Sequence, residues 1–208
     1  MGSAVAARLR QDGYDVLAAG RSDGDLSGAD GAHALVERAA GELGGLDLVV
    51  YAASDGFEPK PVAAVSEADW DTALGATAKG AFFVAQAAAP HLRESHGTLV
   101  MIEDVAAYQP WPSFAPHCAA KAAQAMLTRV LARALAPEVR VCGVAPGPVA
   151  VAPDQVERRA AETALGRVGS PEDVADAVLF LAAADFVTGA TLVVDGGLLL
   201  QTGRRTNA

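Results

Sequence analysis

The sequence predicts one α/β domain in which a mostly parallel sheet carries helices on both faces. Leu46–Tyr51 and Thr98–Ile102 are predominantly apolar runs, which are typical of strands buried on both faces. Such runs alternate with longer helical segments, and this alternation is characteristic of parallel-sheet domains. A length of 208 residues, 51% of them hydrophobic, fits a single domain over residues 1–208 with enough apolar residues for a core.

Capping and turn residues set the predicted limits of the other elements. Gly13 ends the first helix, Ser66 caps a long helix in the middle of the chain, and Ser170 caps the last one. The predicted helices are Ser3–Asp12, Gly31–Leu43, Glu67–Leu92, Phe114–Leu135 and Pro171–Ala184. The further predicted strands are Tyr14–Ala19, Val139–Val144 and Leu192–Val194, and Gly20–Asp30 is predicted to be a loop.

Composition argues against several classes of function. The net charge of −9, with no long run of one sign, argues against nucleic-acid binding, which needs clustered Lys and Arg. No apolar run reaches the roughly 18–20 residues that cross a bilayer, so we expect no membrane contact. The N-terminus has no charged-then-apolar leader, which predicts a cytoplasmic protein. The two cysteines and four histidines are too scattered to predict a metal site.

Several separate stretches resemble, in the same order, the motifs of the short-chain dehydrogenase/reductase family. LDLVVYAAS is similar to the strand that ends in the family's Asn-Asn-Ala-Gly turn. GTLVMIEDVAA followed by HCAAK is similar to its catalytic strand and its Tyr-x-x-x-Lys helix. VRVCGVAPGPV resembles the strand and Pro-Gly turn beside the nicotinamide, and VTGATLVVDGG resembles the last strand. The resemblance covers roughly residues 1–200 and implies a Rossmann-like, doubly wound parallel sheet with oxidoreductase activity.

Within that family the chain is most similar to the pteridine-reductase-like branch. Asp104 stands where most members have the catalytic Ser, thirteen residues before the Tyr position. The phrases PWP and LARALAPEVRVCGVAPGPV also resemble this branch. Phe57 shortly follows the YAAS turn and is the candidate for the branch's pterin-stacking Phe. The resemblance therefore implies a small-molecule substrate that is a flat heterocycle.

Two segments of the family's cofactor-binding half have no counterpart in the chain. Met1-Gly2 matches only the tail of the Gly-rich phosphate turn, so the usual first strand is lacking. The family's second helix and most of its third strand are also lacking, because only a few residues separate Tyr14–Ala19 from Asp25. Met1 is either an internal Met of a gene that starts upstream, or the start of a shortened protein whose remaining strands close the gap.

The resemblance also implies which residues contact the cofactor. Arg21 and Ser22 follow the predicted strand Tyr14–Ala19, which resembles the family's second strand; there a cation and a hydroxyl suit the 2′-phosphate of NADP(H) better than the ribose hydroxyls of NAD. The alternatives are that Arg21 is a solvated loop residue and that Asp25 is a plain turn residue rather than an adenine contact. The candidate cofactor-binding residues are Gly2, Arg21, Ser22, Asp25, Leu26, Ala52, Ala53, Lys121, Pro146 and Gly147.

The family's catalytic tetrad is only partly matched. Lys121 matches the Lys that holds the ribose, or is a solvated surface residue. Asp104 orients substrate, or is a turn residue that caps local N–H groups. His117 replaces the Tyr and is either a proton donor or a tolerated substitution in an inactive site. Thr77 replaces the Asn of the proton relay and keeps only a hydroxyl. The spacing of four puts His117 and Lys121 on one helix face.

Loop residues near these positions are candidates for the substrate pocket. Ser54 and Phe57 follow a buried strand and are expected to touch a flat heterocycle. Trp111 lies between two prolines and packs either in the pocket wall or in the core. Tyr108 follows Asp104 in the chain and is either a stand-in acid or an ordinary surface residue.

Three functions follow from these residues. The first is an NADP(H)-dependent reductase of pteridine-like or other carbonyl substrates. The second is a cofactor-free dehydratase, cyclase or isomerase that uses Asp104, His117 and Lys121 for acid–base chemistry. The third is an inactive protein that binds a ligand or a partner. The family's oligomers pair through their fourth and fifth helices, matched here by Glu67–Leu92 and Phe114–Leu135, so a homodimer or homotetramer is expected.

Overall fold

A sheet of four parallel strands lies at the centre of the protein, for which the computed structural model describes residues 1–55 and 57–200. The strands follow one another across the sheet as β1 (Leu48–Tyr51), β2 (Thr98–Ile102), β3 (Arg140–Pro146) and β4 (Thr191–Val194). Met101 lies opposite both Tyr51 and Gly143, which defines the register of the first three strands. The carboxyl ends of β1, β2 and β3 therefore meet at one end of the sheet.

Helices connect these strands close to the predicted limits. Their bounds are α1 (Gly2–Gln11), α2 (Ala29–Leu43), α3 (Glu67–Leu74), α4 (Gly80–Ser95), α5 (Ala115–Leu135), α6 (Val156–Ala161) and α7 (Pro171–Ala183). The helix predicted over Glu67–Leu92 is present as α3 and α4, and α2 begins inside the segment predicted as the Gly20–Asp30 loop. Within the described residues, every helix falls short of the length or the apolar character that crossing a bilayer requires.

The helices cover both faces of the sheet and form two apolar cores. On one face, alanine-rich sides of α2, α4 and α5 pack against Leu99 and Met101. On the other face, Val5 of α1 and Val178 of α7 pack against Val100. Small side chains let the helices approach the strands closely. This arrangement confirms the predicted α/β fold, a Rossmann-like parallel sheet in a single domain.

Tyr14–Ala19 forms no strand, so that prediction was wrong. Val16 of this segment lies against the second core, and its carbonyl O accepts a hydrogen bond of 2.9 Å from Arg10 Nη2. A strand needs a neighbour whose N–H and C=O groups complete its ladder. Within the described residues β1 pairs only with β2, and no other strand lies beside Tyr14–Ala19. The segment therefore covers apolar surface without joining the sheet.

A π-helical turn, Gly75–Lys79, separates α3 from α4 and faces the end of β1. The hydroxyl of Tyr51, the last residue of β1, donates a hydrogen bond to the carbonyl O of Ala76 in this turn. Burial raises the pKa of Tyr51, so the phenol keeps the proton that it donates. Gly80 permits the approach, because a Cβ there would lie 2.5 Å from the Tyr51 hydroxyl.

Candidate active site

A cleft of about 850 Å³ opens at the carboxyl ends of β1, β2 and β3. Residues that follow these strands line it, among them Ala52, Asp104 and Gly147. The first two turns of α5 add His117 and Lys121. Ligands of open α/β sheets bind at this end of the strands. The cleft is therefore the candidate active site.

The imidazole of His117 faces the carboxylate of Asp104 inside the cleft. His117 Nε2 lies 3.5 Å from Asp104 Oδ2, and the histidine is only 3% exposed. Neither ring nitrogen makes a hydrogen bond of good geometry to the described residues. The other oxygen of Asp104, Oδ1, accepts a hydrogen bond of 2.8 Å from the N–H of Ala106. Asp104 thus caps the turn after β2 and also faces His117, whose ring keeps hydrogen-bonding capacity for a ligand.

Lys121 is buried at the base of the cleft, with 3% of its surface exposed, so it is not a solvated surface lysine. Its Nζ donates hydrogen bonds of 2.9 Å to the carbonyl O of Ile102 and of 3.0 Å to Oε1 of Gln124. Burial lowers the pKa of Lys121 to about 8, while the carboxylates of Asp104 and Glu103 oppose that shift. A lysine with this pKa can exchange a proton near neutral pH.

Aromatic rings form one wall of the cleft. Phe57 meets the ring of His117 edge-on with ring centroids 4.9 Å apart, and it stacks on Phe114 at 4.7 Å. The ring of Trp111 is nearly parallel to that of His117, with 9° between the planes and centroids 6.4 Å apart. Phe57 and Trp111 line the cleft, so Trp111 belongs to the pocket wall. Such a wall suits a flat, largely apolar molecule.

Half of the candidate cofactor-binding residues lie on the same cleft. The ones that line it are Arg21, Ala52, Lys121, Pro146 and Gly147. Arg21 Nη2 forms an ion pair of 3.2 Å with Asp55 Oδ1, although the arginine side chain is 83% exposed. Gly147 allows a close approach, because a Cβ there would lie 2.7 Å from the Cα of Asp195. Gly2, at the start of α1, lies beside Ala52, where an added Cβ would be 3.7 Å from the Ala52 Cβ.

The other candidate cofactor-binding residues lie outside the cleft lining. Asp25 holds its own turn, because its Oδ1 accepts a hydrogen bond of 2.8 Å from the N–H of Ser27, which also lowers the pKa of Asp25. Leu26 and Ala53 pack against the first core. Ser22 is exposed. Asp25 and Leu26 therefore do not line the cleft, and their role as adenine contacts stays a prediction.

Thr77 and Tyr108, two candidate proton-transfer groups, do not line the cleft. Thr77 is fully buried and stands behind Ser54, with 3.2 Å between the two hydroxyl oxygens. Ser54 itself lines the cleft. Tyr108 does not line it, and its hydroxyl donates a hydrogen bond of 3.1 Å to Glu103 Oε2. The hydroxyl of Tyr108 is thus engaged by Glu103, and a role as the stand-in acid stays a prediction.

The sequence reasoning missed Glu103, Gln124 and Phe114 as parts of the site. Glu103 carried a signal, because an acidic residue directly after the four apolar residues Leu99–Ile102 is unusual for a buried strand end. Gln124 lies three residues after Lys121, which is helical spacing for the same face. Phe114 carried no signal beyond being aromatic. Its position against Phe57 depends on a loop conformation that spacing does not predict.

A family profile described as Enoyl-(Acyl carrier protein) reductase matches residues 4–199 of the chain. The chain belongs to the short-chain dehydrogenase/reductase superfamily. It is 34% identical to the 4-formylbenzenesulfonate dehydrogenase of Comamonas testosteroni, over 94% of this chain and 92% of that protein. By homology the protein is a short-chain dehydrogenase/reductase oxidoreductase.

Solved structures of the superfamily share the fold. A short-chain dehydrogenase/reductase of Brucella melitensis is 36% identical and superposes with a TM-score of 0.78 over 84% of this chain and 73% of that chain. A 7α-hydroxysteroid dehydrogenase, solved as a complex with NADH and 7-oxo glycochenodeoxycholic acid, is 29% identical. Its TM-score is 0.80 over 94% of this chain and 79% of that chain. Relatives of this chain thus bind nicotinamide cofactors.

Proposed function

We propose that this protein is an NADP(H)-dependent reductase of a carbonyl or imine group in a small, flat molecule. The observation that carries the proposal is the convergence of Asp104, His117 and Lys121 on one cleft at the carboxyl end of the sheet. Membership of the superfamily supports the reaction class. Arg21 on the same cleft supports NADP(H) over NAD(H), because a guanidinium pairs with the 2′-phosphate.

The residues of the cleft fit the nicotinamide-ribose end of such a nucleotide. Lys121 uses two of its three N–H donors on Ile102 and Gln124, which leaves one for a ribose hydroxyl. Gly147 and Ala52 present backbone without bulky side chains, and Gly2 brings the first turn of α1 with its free N–H groups close to Ala52. When bound, the nucleotide supplies the hydride that reduces the substrate.

The chain's own groups supply the proton. His117 is the proposed donor to the substrate's oxygen or nitrogen, because its ring nitrogens are buried in the cleft and have no hydrogen-bond partner among the described residues. The carboxylate of Asp104, at 3.5 Å from Nε2, orients the imidazole. The ammonium of Lys121 stabilises negative charge that develops on the substrate. An imidazole and a lysine thus take the place of the family's Tyr and Lys.

The wall of the cleft supports a flat substrate. Phe57 and Trp111 contribute aromatic rings beside His117, and Ser54, which also lines the cleft, contributes a hydroxyl. The Comamonas testosteroni relative is named for 4-formylbenzenesulfonate, an aromatic aldehyde. A pteridine-like heterocycle or an aromatic carbonyl compound is therefore the proposed substrate class.

Titration of the purified protein with NADPH tests the cofactor proposal. We expect quenched protein fluorescence and a higher melting temperature, because a ligand that binds only the folded state stabilises it. Arg21→Ala is expected to weaken NADPH binding about tenfold and to leave NADH binding unchanged. Arg93→Ala is the control, since Arg93 is exposed and absent from the cleft lining. Equal, unsaturable responses to both nucleotides would contradict the proposal and favour a cofactor-free function.

The substitution His117→Tyr tests whether His117 is the proton donor. A tyrosine restores the family's longer acid beside Lys121, so we expect NADPH consumption with aromatic or pteridine carbonyl substrates to rise at least about tenfold. His117→Phe keeps the ring without the acid and is expected to abolish turnover while nucleotide binding persists. If His117→Phe reduces the same substrates at the wild-type rate, His117 is not the proton donor.

We also propose a homodimer or homotetramer that pairs through α3, α4 and α5. These helices expose apolar side chains in the isolated chain, among them Trp70, Phe82, Met126 and Val130. Met126 and Val130 are one helical turn apart on α5, which places them on one face. Exposed apolar side chains on neighbouring helices favour association. Light scattering of the purified protein measures its molecular mass, which distinguishes a monomer from a homodimer or homotetramer.

A further inference from the structure

A second carboxylate, that of Glu103, is buried in the lining of the cleft, and the mechanism above does not use it. Glu103 directly follows β2 and is 1% exposed. Its Oε1 accepts hydrogen bonds of 2.6 Å from Thr128 Oγ1 and of 3.3 Å from Thr191 Oγ1. Its Oε2 accepts the hydrogen bond from Tyr108. Hydroxyl donors from three different elements therefore surround a carboxylate that is removed from water.

The sheet makes room for this carboxylate at Gly143 of β3. A Cβ at Gly143 would lie 2.1 Å from Glu103 Oε1, so any larger residue there would displace the carboxylate. The same added Cβ would lie 3.0 Å from Thr191 Oγ1. Burying an ionised carboxylate costs several kcal/mol unless hydrogen bonds or an opposite charge compensate it. The three hydroxyl donors supply part of this compensation, and an opposite charge nearby adds to it.

Buried polar side chains on the inner face of α5 lead from Lys121 to Glu103. Lys121, Gln124 and Thr128 are buried and follow one another at spacings of three and four residues. Lys121 Nζ donates to Gln124 Oε1, Thr128 Oγ1 lies 3.4 Å from the carbonyl O of Gln124, and Thr128 donates to Glu103. We name Lys121, Gln124 and Thr128 the α5 polar strip.

We propose that Glu103 is a positioning residue that acts on Lys121 through the α5 polar strip and serves as its buried counter-charge. In a medium of low dielectric constant, a carboxylate of this kind holds the lysine in its ammonium form and in one orientation. Asp104, on the cleft side, is the other carboxylate that acts on Lys121. The inference rests on the role proposed for Lys121, but its test measures titration rather than turnover, so the two can fail separately.

Four other charged or titratable groups among the described residues act on Glu103 and Lys121 or on their neighbours. His117 lies one turn before Lys121 on α5, and Asp104 lies at the end of β2. Tyr108 contacts Glu103, and Arg129 acts on Tyr108 from the outer side of α5. Desolvation is the largest cause of the lowered pKa of Lys121, and Asp104 and Glu103 both raise it. Removal of either carboxylate should therefore lower that pKa further.

NMR of the wild-type chain labelled with ¹³C at lysine Cε tests the proposal without any substrate. The chain has only three lysines, Lys60, Lys79 and Lys121, so the signals are assigned with one Lys121→Met sample. We expect the Lys121 signal of the wild type to titrate with a midpoint near pH 8. In Glu103→Gln the midpoint is expected to fall by roughly 0.5–1 pH unit. An unchanged midpoint would show that Glu103 has only a packing role.

Two further variants keep the test decisive. Tyr108→Phe removes a hydrogen bond to Glu103 but keeps the carboxylate, so the Lys121 midpoint should stay near the wild-type value. A fall as large as that of Glu103→Gln would contradict the counter-charge role. If Glu103→Gln does not fold, Glu103→Ser removes the same charge with a smaller side chain. The same fall in the midpoint is expected of it.

Discussion

Replacing Lys121 by methionine is expected to remove a pH dependence of about 3 kcal/mol from the free energy of unfolding. The pKa of Lys121 is about 8 in the folded chain and has an ordinary value of 10.5 when the lysine is exposed. Between these two pH values the unfolded chain binds a proton that the folded chain does not. The stability of the wild type relative to the variant should therefore rise as the pH rises from 8 to 10.5.

Urea unfolding of both proteins at a series of pH values measures this difference. Lys79→Met is the control, because Lys79 is exposed and its replacement removes no buried charge. The Lys121→Met variant is also expected to reduce substrates at least about a hundredfold more slowly, since a positioned group that stabilises developing negative charge contributes at least that factor. A stability difference between wild type and Lys121→Met that stays constant across this range would contradict a buried, desolvated lysine.

The substitution Gly31→Ala is expected to lower the free energy of unfolding by about 3 kcal/mol. Gly31 lies in the first turn of α2, and an added Cβ would lie 1.9 Å from the carbonyl O of Asp25. The turn that carries Asp25 has little freedom to retreat, because Ser27 donates to the Asp25 side chain and Leu26 packs against the first core. Overpacking against backbone forces the helix and the turn apart.

Gly41→Ala, in the same helix, is the matched control for this prediction. Nothing lies within 4 Å of an added Cβ at Gly41. Alanine is a better helix former than glycine, so this change is expected to stabilise the protein by about 0.5–1 kcal/mol. Equilibrium urea unfolding, followed by circular dichroism, separates the two outcomes. Equal effects of the two substitutions on the free energy of unfolding would show that the turn around Asp25 accommodates the added methyl group without strain.

Sequence patterns predicted most of the fold because its elements have strong local signals. The apolar run Thr98–Ile102 is a strand with those bounds, and Ser170 caps α7 through a hydrogen bond of 3.3 Å from the N–H of Asp173. Tyr14–Ala19 has the same apolar signal as a strand but no partner for its backbone. Local pattern indicates what a segment can form, whereas hydrogen-bonded pairing with a distant segment decides whether it does.

Sequence reasoning predicted only part of the candidate site. The spacing of His117 and Lys121 on one helix, and the place of Asp104 after a buried strand, predicted that they could share a pocket. The structure brings them together and also shows that Asp25, Leu26 and Tyr108 lie elsewhere. Those three depended on loop conformations, which short sequence motifs describe poorly because their contacts are with distant residues.

By itself, the sequence determined the alternation of strands and helices, the apolar faces that form two cores, and the helical face that carries His117 and Lys121. Only the tertiary structure decided that Glu103 turns toward Thr128 and Thr191 while its neighbour Asp104 turns into the cleft. The physical reason is that successive side chains at a strand end point to opposite faces. Which face meets α5, β4 or the cleft depends on how the strand is paired within the sheet.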